Sequence, residues 1–137
     1  MKKNKITLKR VVNSYKPSWK TTPGVGSKEF YEKWGFHYED LWNLDAESAY
    51  YLAVRLTLYR DSQTGLPTQI LFHYGADWET RTVEQERKAA KAWRKILNKM
   101  ILGFYLYASI FNPDDKQEKI IDKAYKLFAE WHESLWD

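Results

Sequence analysis

Two apolar stripes separated by a very short break constrain this chain more than any other feature. Trp93, Ile96, Leu97, Met100, Ile101, Phe104, Tyr107, Ala108 and Phe111 recur in steps of three and four, the spacing that puts side chains on one face of an α-helix. A helix starting near Thr80 to Val83 and carrying this stripe spans about 28 residues, roughly 42 Å at the usual rise. Asn112-Pro-Asp-Asp115 ends it and opens the next, with Asn112 as N-cap, Pro113 in the first position and the acids in the first turn. Ile120, Ile121, Ala124, Leu127, Phe128, Trp131 and Leu135 form the second stripe, with Lys116, Lys119, Lys123 and Lys126 outside it. Two stripes joined by so short a turn predict an antiparallel helical hairpin. Gly103 inside the first helix costs about 1 kcal/mol relative to Ala, which points to a close helix crossing.

Upstream, Asp45 can cap a helix in which Ala49, Leu52, Ala53 and Leu56 follow at helical spacing. Tyr50, Val54 and Leu58 add a second stripe, and a helix apolar over so much of its circumference is expected at the centre. It should end near Arg60-Asp61, before Gly65 and Pro67. Residues 27–34 predict a short helix with Ser27 as N-cap, stopped by Gly35. Residues 61–80 read as a long connection with an apolar cluster, Ile70-Leu71-Phe72, and no full-length element. At the start, Ile6, Leu8, Val11 and Val12 are β-prone, and the stretch after them holds Pro17, Pro23, Gly24 and Gly26. That predicts one short strand at most, then an extended segment pinned by Tyr15 and Trp19. The predicted fold class is all-α: a compact bundle of three main helices plus a short one, with a long C-terminal hairpin. Residues 1–28 form an extended basic arm and residues 29–137 a single helical domain.

A length of 137 residues suits one domain, and 44% apolar residues suffice for a core. Wholesale disorder, collagen-like sequence and a membrane-spanning protein are excluded by that composition. Cys is absent, which excludes disulfide staples, thiolate zinc sites and thiol catalysis. The opening MKKNKITLKR lacks the apolar run of a signal peptide, so a cytosolic protein is expected.

The formal charge of +4 hides a division. Residues 1–28 hold eight bases and no acid, whereas the other 109 residues hold 14 bases and 18 acids. Such an arm either captures phosphate, on nucleic acid or on a nucleotide, or folds back on its own acidic body.

Catalytic constellations are not found. His37, His73 and His132 form no recognisable pair. The chain has no HExxH, no ExxH repeated on two helices, no GxxxxGK[ST] and no GxGxxG, and Gly24-Val-Gly26 alone carries nothing. Asp114-Asp115 reads as a helix start. No enzyme activity, cofactor or metal is implied.

The long helix offers basic chemistry instead. Arg81, Arg87, Lys88, Lys91, Arg94, Lys95 and Lys99 stand against Glu84 and Glu86, either as a phosphate-binding wall or as an ordinary solvated face neutralised by neighbouring acids. Arg55 lies among residues that favour burial, and a partly buried guanidinium needs a carboxylate or phosphate. Asp40 or Asp45 can supply it internally. Otherwise Arg55 is a ligand contact, with Tyr59 and Arg60 lining the same pocket. Tyr51, Tyr59 and Trp78 are candidates for stacking on a base, and Tyr15, Trp19, Phe72 and Tyr74 are further unplaced aromatics.

The segment Trp34-Gly-Phe-His-Tyr-Glu-Asp-Leu-Trp-Asn-Leu-Asp45, then Ile96-Leu-Asn-Lys-Met-Ile101 with Phe104, and finally Leu127-Phe-Ala129 with Ser134-Leu-Trp-Asp137 carry a resemblance. Together they resemble a group of small bacteriophage proteins that share a G-[FW]-x-x-x-D-x-W-[NS]-L-D segment and end in LWD. The resemblance covers residues 34–137, implies a phage source and brings no activity or catalytic residue with it.

Basic and aromatic residues on a small phage accessory protein lead to one main expectation. It is a non-enzymatic protein that binds a phosphorylated nucleotide, an anti-defence sponge for a nucleotide immune signal, at a helical and homo-oligomeric interface. Arg55, Arg60, Arg81, Arg87, Lys91 and Arg94 would grip phosphate, with Tyr51, Tyr59 or Trp78 on the base. The alternatives are nucleic-acid binding through the arm and the basic helix face, and inhibition of a host defence enzyme by protein–protein contact. No membrane partner is expected.

Overall fold

The computed structural model describes residues 6–22, 24–62, 65–75 and 79–135. Trp78, one of the base-stacking candidates, lies outside the described residues, as do Lys2, Lys3 and Lys5 of the arm and the C-terminal Trp136-Asp137. The fold is all-α, and no strand occurs among the described residues.

Three long helices dominate. These are α3 (Leu44–Ser62), α5 (Val83–Ser109) and α6 (Asp115–Trp131), preceded or separated by the short α1 (Leu8–Val12), α2 (Ser27–Trp34) and α4 (Thr68–His73). At α5 the local chemistry of the start is complete. Thr82 Oγ1 accepts from Gln85 N at 3.1 Å, while Gln85 Oε1 accepts from Thr82 N at 2.9 Å, satisfying two N–H groups that the helix itself cannot. Along the predicted stripe, Trp93, Leu97, Met100, Ile101 and Phe104 are fully buried.

The turn into α6 differs from the predicted one. Asp114, not Asn112, is the N-cap, and α6 begins at Asp115. Asp114 and Gln117 exchange reciprocal hydrogen bonds of 2.8 and 2.9 Å, a capping box that fixes the start of the helix here. α6 packs along α5 through Ile121, Ala124, Leu127 and Trp131. Gly103 is where the backbones come closest: a Cβ there would collide with that of Ala124 and stand 2.9 Å from the Ile120 carbonyl oxygen.

α5, rather than α3, holds the centre, in contact with α3, α4 and α6. α3 lies against α1, α5 and the 3₁₀ segment Tyr38–Asn43. Ala49, Ala53, Leu56, Thr57 and Arg60 are its buried residues, while Tyr51 and Leu58 of its other side remain exposed. The short α4 places Ile70 and Leu71 in the core.

Residues 8–12 form a helix where a strand was predicted. Thr7 Oγ1 caps it by accepting from Arg10 N, and Ile6 and Val11 are buried in the common core. One turn of helix puts those two side chains against α3, and that burial outweighs the β preference of an isolated stretch. The described part of the basic arm folds onto the body. Arg10 donates to the Tyr105 hydroxyl at 3.1 Å, Tyr50 donates to the Val12 carbonyl at 2.9 Å, and Lys20 pairs with Asp40 and Glu47.

Candidate functional site

Two pockets divide the residues that the sequence assigns to one. The first opens between α4 and the N-terminal half of α5 and has a volume of about 460 Å³. α5 points Arg87 and Arg94 at it from positions two turns apart, and Arg81 joins them from just ahead of the helix. Leu66 and Leu71 form the apolar side, and Trp93 lies behind. Trp93 is fully buried, and its indole N–H has no acceptor among the described residues.

The guanidiniums differ in how they are held. Arg87 grips Glu84 one turn back, with Nη2 at 2.8 Å from Oε1 and Nε at 3.2 Å from Oε2. This hydrogen bond and its charge hold the Glu84 carboxyl below its ordinary value and raise Arg87 above its own. Arg81 Nε lies 3.3 Å from Glu86 Oε1. Arg94 has no ion pair among the described residues. Lys91 is exposed on the same solvent face of α5, outside the pocket wall. Lys88, Lys95 and Lys99 continue that face, and among the described residues none of the four lysines forms an ion pair.

Arg55 and Arg60 exchange the roles expected of them. Arg55 is exposed and lies 3.5 Å above the Tyr51 ring, one turn back on α3, a cation–π contact. Neither Asp40 nor Asp45 serves it: Asp40 accepts from Trp19 and Lys20, and Asp45 from Tyr107. Arg60 is the buried guanidinium, 1% exposed, with Nε 3.0 Å from Asp61 Oδ1 and Nη1 donating to Asn98 at 2.9 Å. It ties the end of α3 to α5 and faces no pocket. Tyr59 is half-buried against the core and does not share a pocket with Arg55. Apolar residues surround α3 almost evenly, so the sequence period could not show which of its arginines faced inward.

The second pocket is larger, about 630 Å³, and lies between α2 and α3. Arg55 and Tyr51 border it, but most of its chemistry went unread in the sequence. Lys20 reaches in from the 3₁₀ turn Ser18–Lys20 and contacts Glu47 and Asp40, the latter at 3.2 Å. Burial alone would lower the Lys20 pKa; the hydrogen bond and charge of Glu47, then those of Asp40, outweigh it and raise the pKa. Trp19 Nε1 donates to Asp40 at 2.7 Å. Beneath the pocket, the buried Glu39 carboxylate accepts from Gly24 N at 2.8 Å and from the Ser27 hydroxyl at 3.2 Å. Backbone N–H groups, its own and that of Gly24, then the Ser27 hydroxyl, hold its pKa below the ordinary value. Contacts 20 and 27 residues apart in the chain join Lys20 to its acids, and no local spacing announces them. The run of aromatics and acids in residues 34–45 was the one available signal.

The chain matches no protein-family model, and neither a curated protein nor a solved structure gives a significant match to it.

Proposed function

We propose that this chain is a non-enzymatic binding protein for a phosphorylated nucleotide, with phosphate held by Arg81, Arg87 and Arg94 in the α4–α5 pocket. One observation carries the reading: three guanidiniums border a single pocket, and one of them, Arg94, is without an ion pair among the described residues. Guanidinium forks match phosphate oxygens in pairs. The carboxylates that hold Arg87 and Arg81 are solvent-exposed, and such pairs contribute only about 0–1 kcal/mol, so phosphate can compete with them. Lys91 adds positive charge beside the opening. As part of this proposal, sequestration of a nucleotide signal is the biological role and a homo-oligomer the working form.

Isothermal titration with ATP and with a 3′,3′-cyclic dinucleotide tests this. Binding should weaken at least tenfold in Arg87→Ala and Arg94→Ala, with the melting temperature unchanged. Equal affinity in both variants, or no binding of either nucleotide to the parent chain, overturns it.

A second reading, nucleic-acid binding, is favoured by a separate observation. Lys88, Lys91, Lys95 and Lys99 form a basic strip on the face of α5 opposite the core, without ion pairs among the described residues and about 16 Å long at the helical rise.

A further inference from the structure

The α2–α3 pocket sets two acids against two bases, Lys20 and Arg55. Two carboxylates, Asp40 and Glu47, stand at its inner side, and aromatic rings of Tyr31, Phe36 and Tyr51 form its walls. We propose that this pocket is a second binding site, for an organic cation: an ammonium, amidinium or guanidinium group on an apolar body. The charged group takes the position of the Lys20 ammonium against Asp40 and Glu47, and the apolar body lies among the three rings.

Three observations support this. First, Glu47 Oε2 is buried and accepts no hydrogen bond from the described residues. A buried carboxylate oxygen without a donor is costly, and a cationic N–H relieves that cost best. Second, the chain's own cations already occupy both kinds of position. Lys20 binds the carboxylates, and the Arg55 guanidinium covers the Tyr51 ring. Third, Tyr31 and Tyr51 remain about half exposed, at 49% and 51%, although they border a concavity. The Arg55 guanidinium takes one face of Tyr51, and the remaining exposed ring surface is open to a ligand.

His37 is another residue of the wall, with Nδ1 3.0 Å from the Ser27 hydroxyl oxygen.

Lys20 is then an internal competitor. It sits on a 3₁₀ turn ahead of α2, with its side chain 31% exposed, and can leave the acids without unwinding a long helix.

Benzamidine and benzamide form a suitable probe pair, since they share a shape and differ in charge. Titration of the full chain should give one benzamidine per chain and at least tenfold weaker binding of benzamide. Glu47→Gln should weaken benzamidine at least tenfold, and Lys20→Met should tighten it by about the same factor. The Trp19 indole N–H, bonded to Asp40, supplies an NMR signal that should shift with benzamidine and stay fixed with benzamide. Equal binding of the two probes, an affinity insensitive to Glu47→Gln, or no binding of benzamidine even to Lys20→Met each overturns the proposal. Glu47→Gln replaces one oxygen with a group of equal size, and a melting curve checks that the fold is intact. Binding by Lys20→Met but not by the parent chain supports the competitor role of Lys20.

Discussion

The Tyr107 hydroxyl donates to Asp45 Oδ2 at 2.7 Å and thereby closes the last turns of α5 onto the first turn of α3. Each group changes the other. The hydrogen bond from Tyr107, followed by the backbone N–H of Ala46, holds the Asp45 carboxyl below its ordinary value of 3.8. In return, the bond to Asp45, followed by burial, pushes Tyr107 up to about 12. Asp45 also carries its negative charge at the N-terminus of α3, where the helix dipole favours it.

A pH window follows from the two signs. The lowered Asp45 contributes stability that is present above 3.8 and is lost as pH falls through its folded value. The raised Tyr107 contributes stability that is complete below 10.0 and is lost as pH rises toward about 12. Tyr107→Phe should therefore lower stability at neutral pH by about 1 kcal/mol, the usual worth of one such bond. Thermal melts should show this difference shrinking at both ends of the range. A constant difference at every pH would mean that ring packing, not the bond to Asp45, accounts for it.

Gly103 offers a sharper test of packing. An Ala side chain gains about 1 kcal/mol of helix propensity over Gly, yet here its Cβ would run into Ala124 and crowd the Ile120 carbonyl oxygen at 2.9 Å. Overpacking of this kind costs about 1–3 kcal/mol, so Gly103→Ala should destabilise despite the better propensity. Adding Ala124→Gly removes one of the two obstacles and should restore part of the loss. Urea unfolding of the single and double variants measures both. A single variant more stable than the parent chain would show that α5 and α6 do not cross closely at this point.

The two arginines Arg60 and Arg87 should separate stability from binding. Arg60 is buried and joins α3 to Asn98 of α5, so Arg60→Ala should cost about 2–3 kcal/mol through lost packing and an orphaned amide. Nucleotide affinity of the folded fraction should be unchanged. Arg87, with a side chain 72% exposed, should behave in the opposite way, changing stability by less than about 0.5 kcal/mol while binding falls. Melting curves and titrations on the same preparations distinguish the two. Loss of nucleotide binding in folded Arg60→Ala would move the site toward the end of α3.

These contrasts mark what the residues could reveal unaided. The stripe from Trp93 to Phe104 and the helix start near Thr80 to Val83 depend on neighbours a few positions away, and both were legible. The helix at Leu8–Val12 was not, because the burial of Ile6 and Val11 depends on α3, some 40 positions later. The basic cluster on α5 was legible as a cluster, since a single helix displays it. Assigning Arg55 and Arg60 required knowing which side of α3 faces α5, and apolar residues on both sides concealed it. The acids that receive Lys20 come together only in the folded chain.

Salt dependence separates the nucleotide reading from nucleic acid. A DNA duplex bound along Lys88, Lys91, Lys95 and Lys99 would release condensed counterions, and four phosphate contacts would cost roughly a hundredfold in affinity between about 50 and 200 mM salt. A mononucleotide has no condensed ion atmosphere to release, so the α4–α5 pocket should lose about tenfold or less over that range. Charge reversal at Lys95 and Lys99 adds an independent axis, since both lie outside the pocket wall. The double variant should lower nucleotide affinity by less than Arg87→Ala or Arg94→Ala does, because Lys95 and Lys99 are outside the pocket wall and act on it only through salt-screened charge. DNA binding, where present, should nearly vanish in it. Titrations of ATP and of a short duplex at both salt concentrations provide the comparison. Steep salt dependence for the duplex with no nucleotide binding would transfer the function from the pocket to the strip.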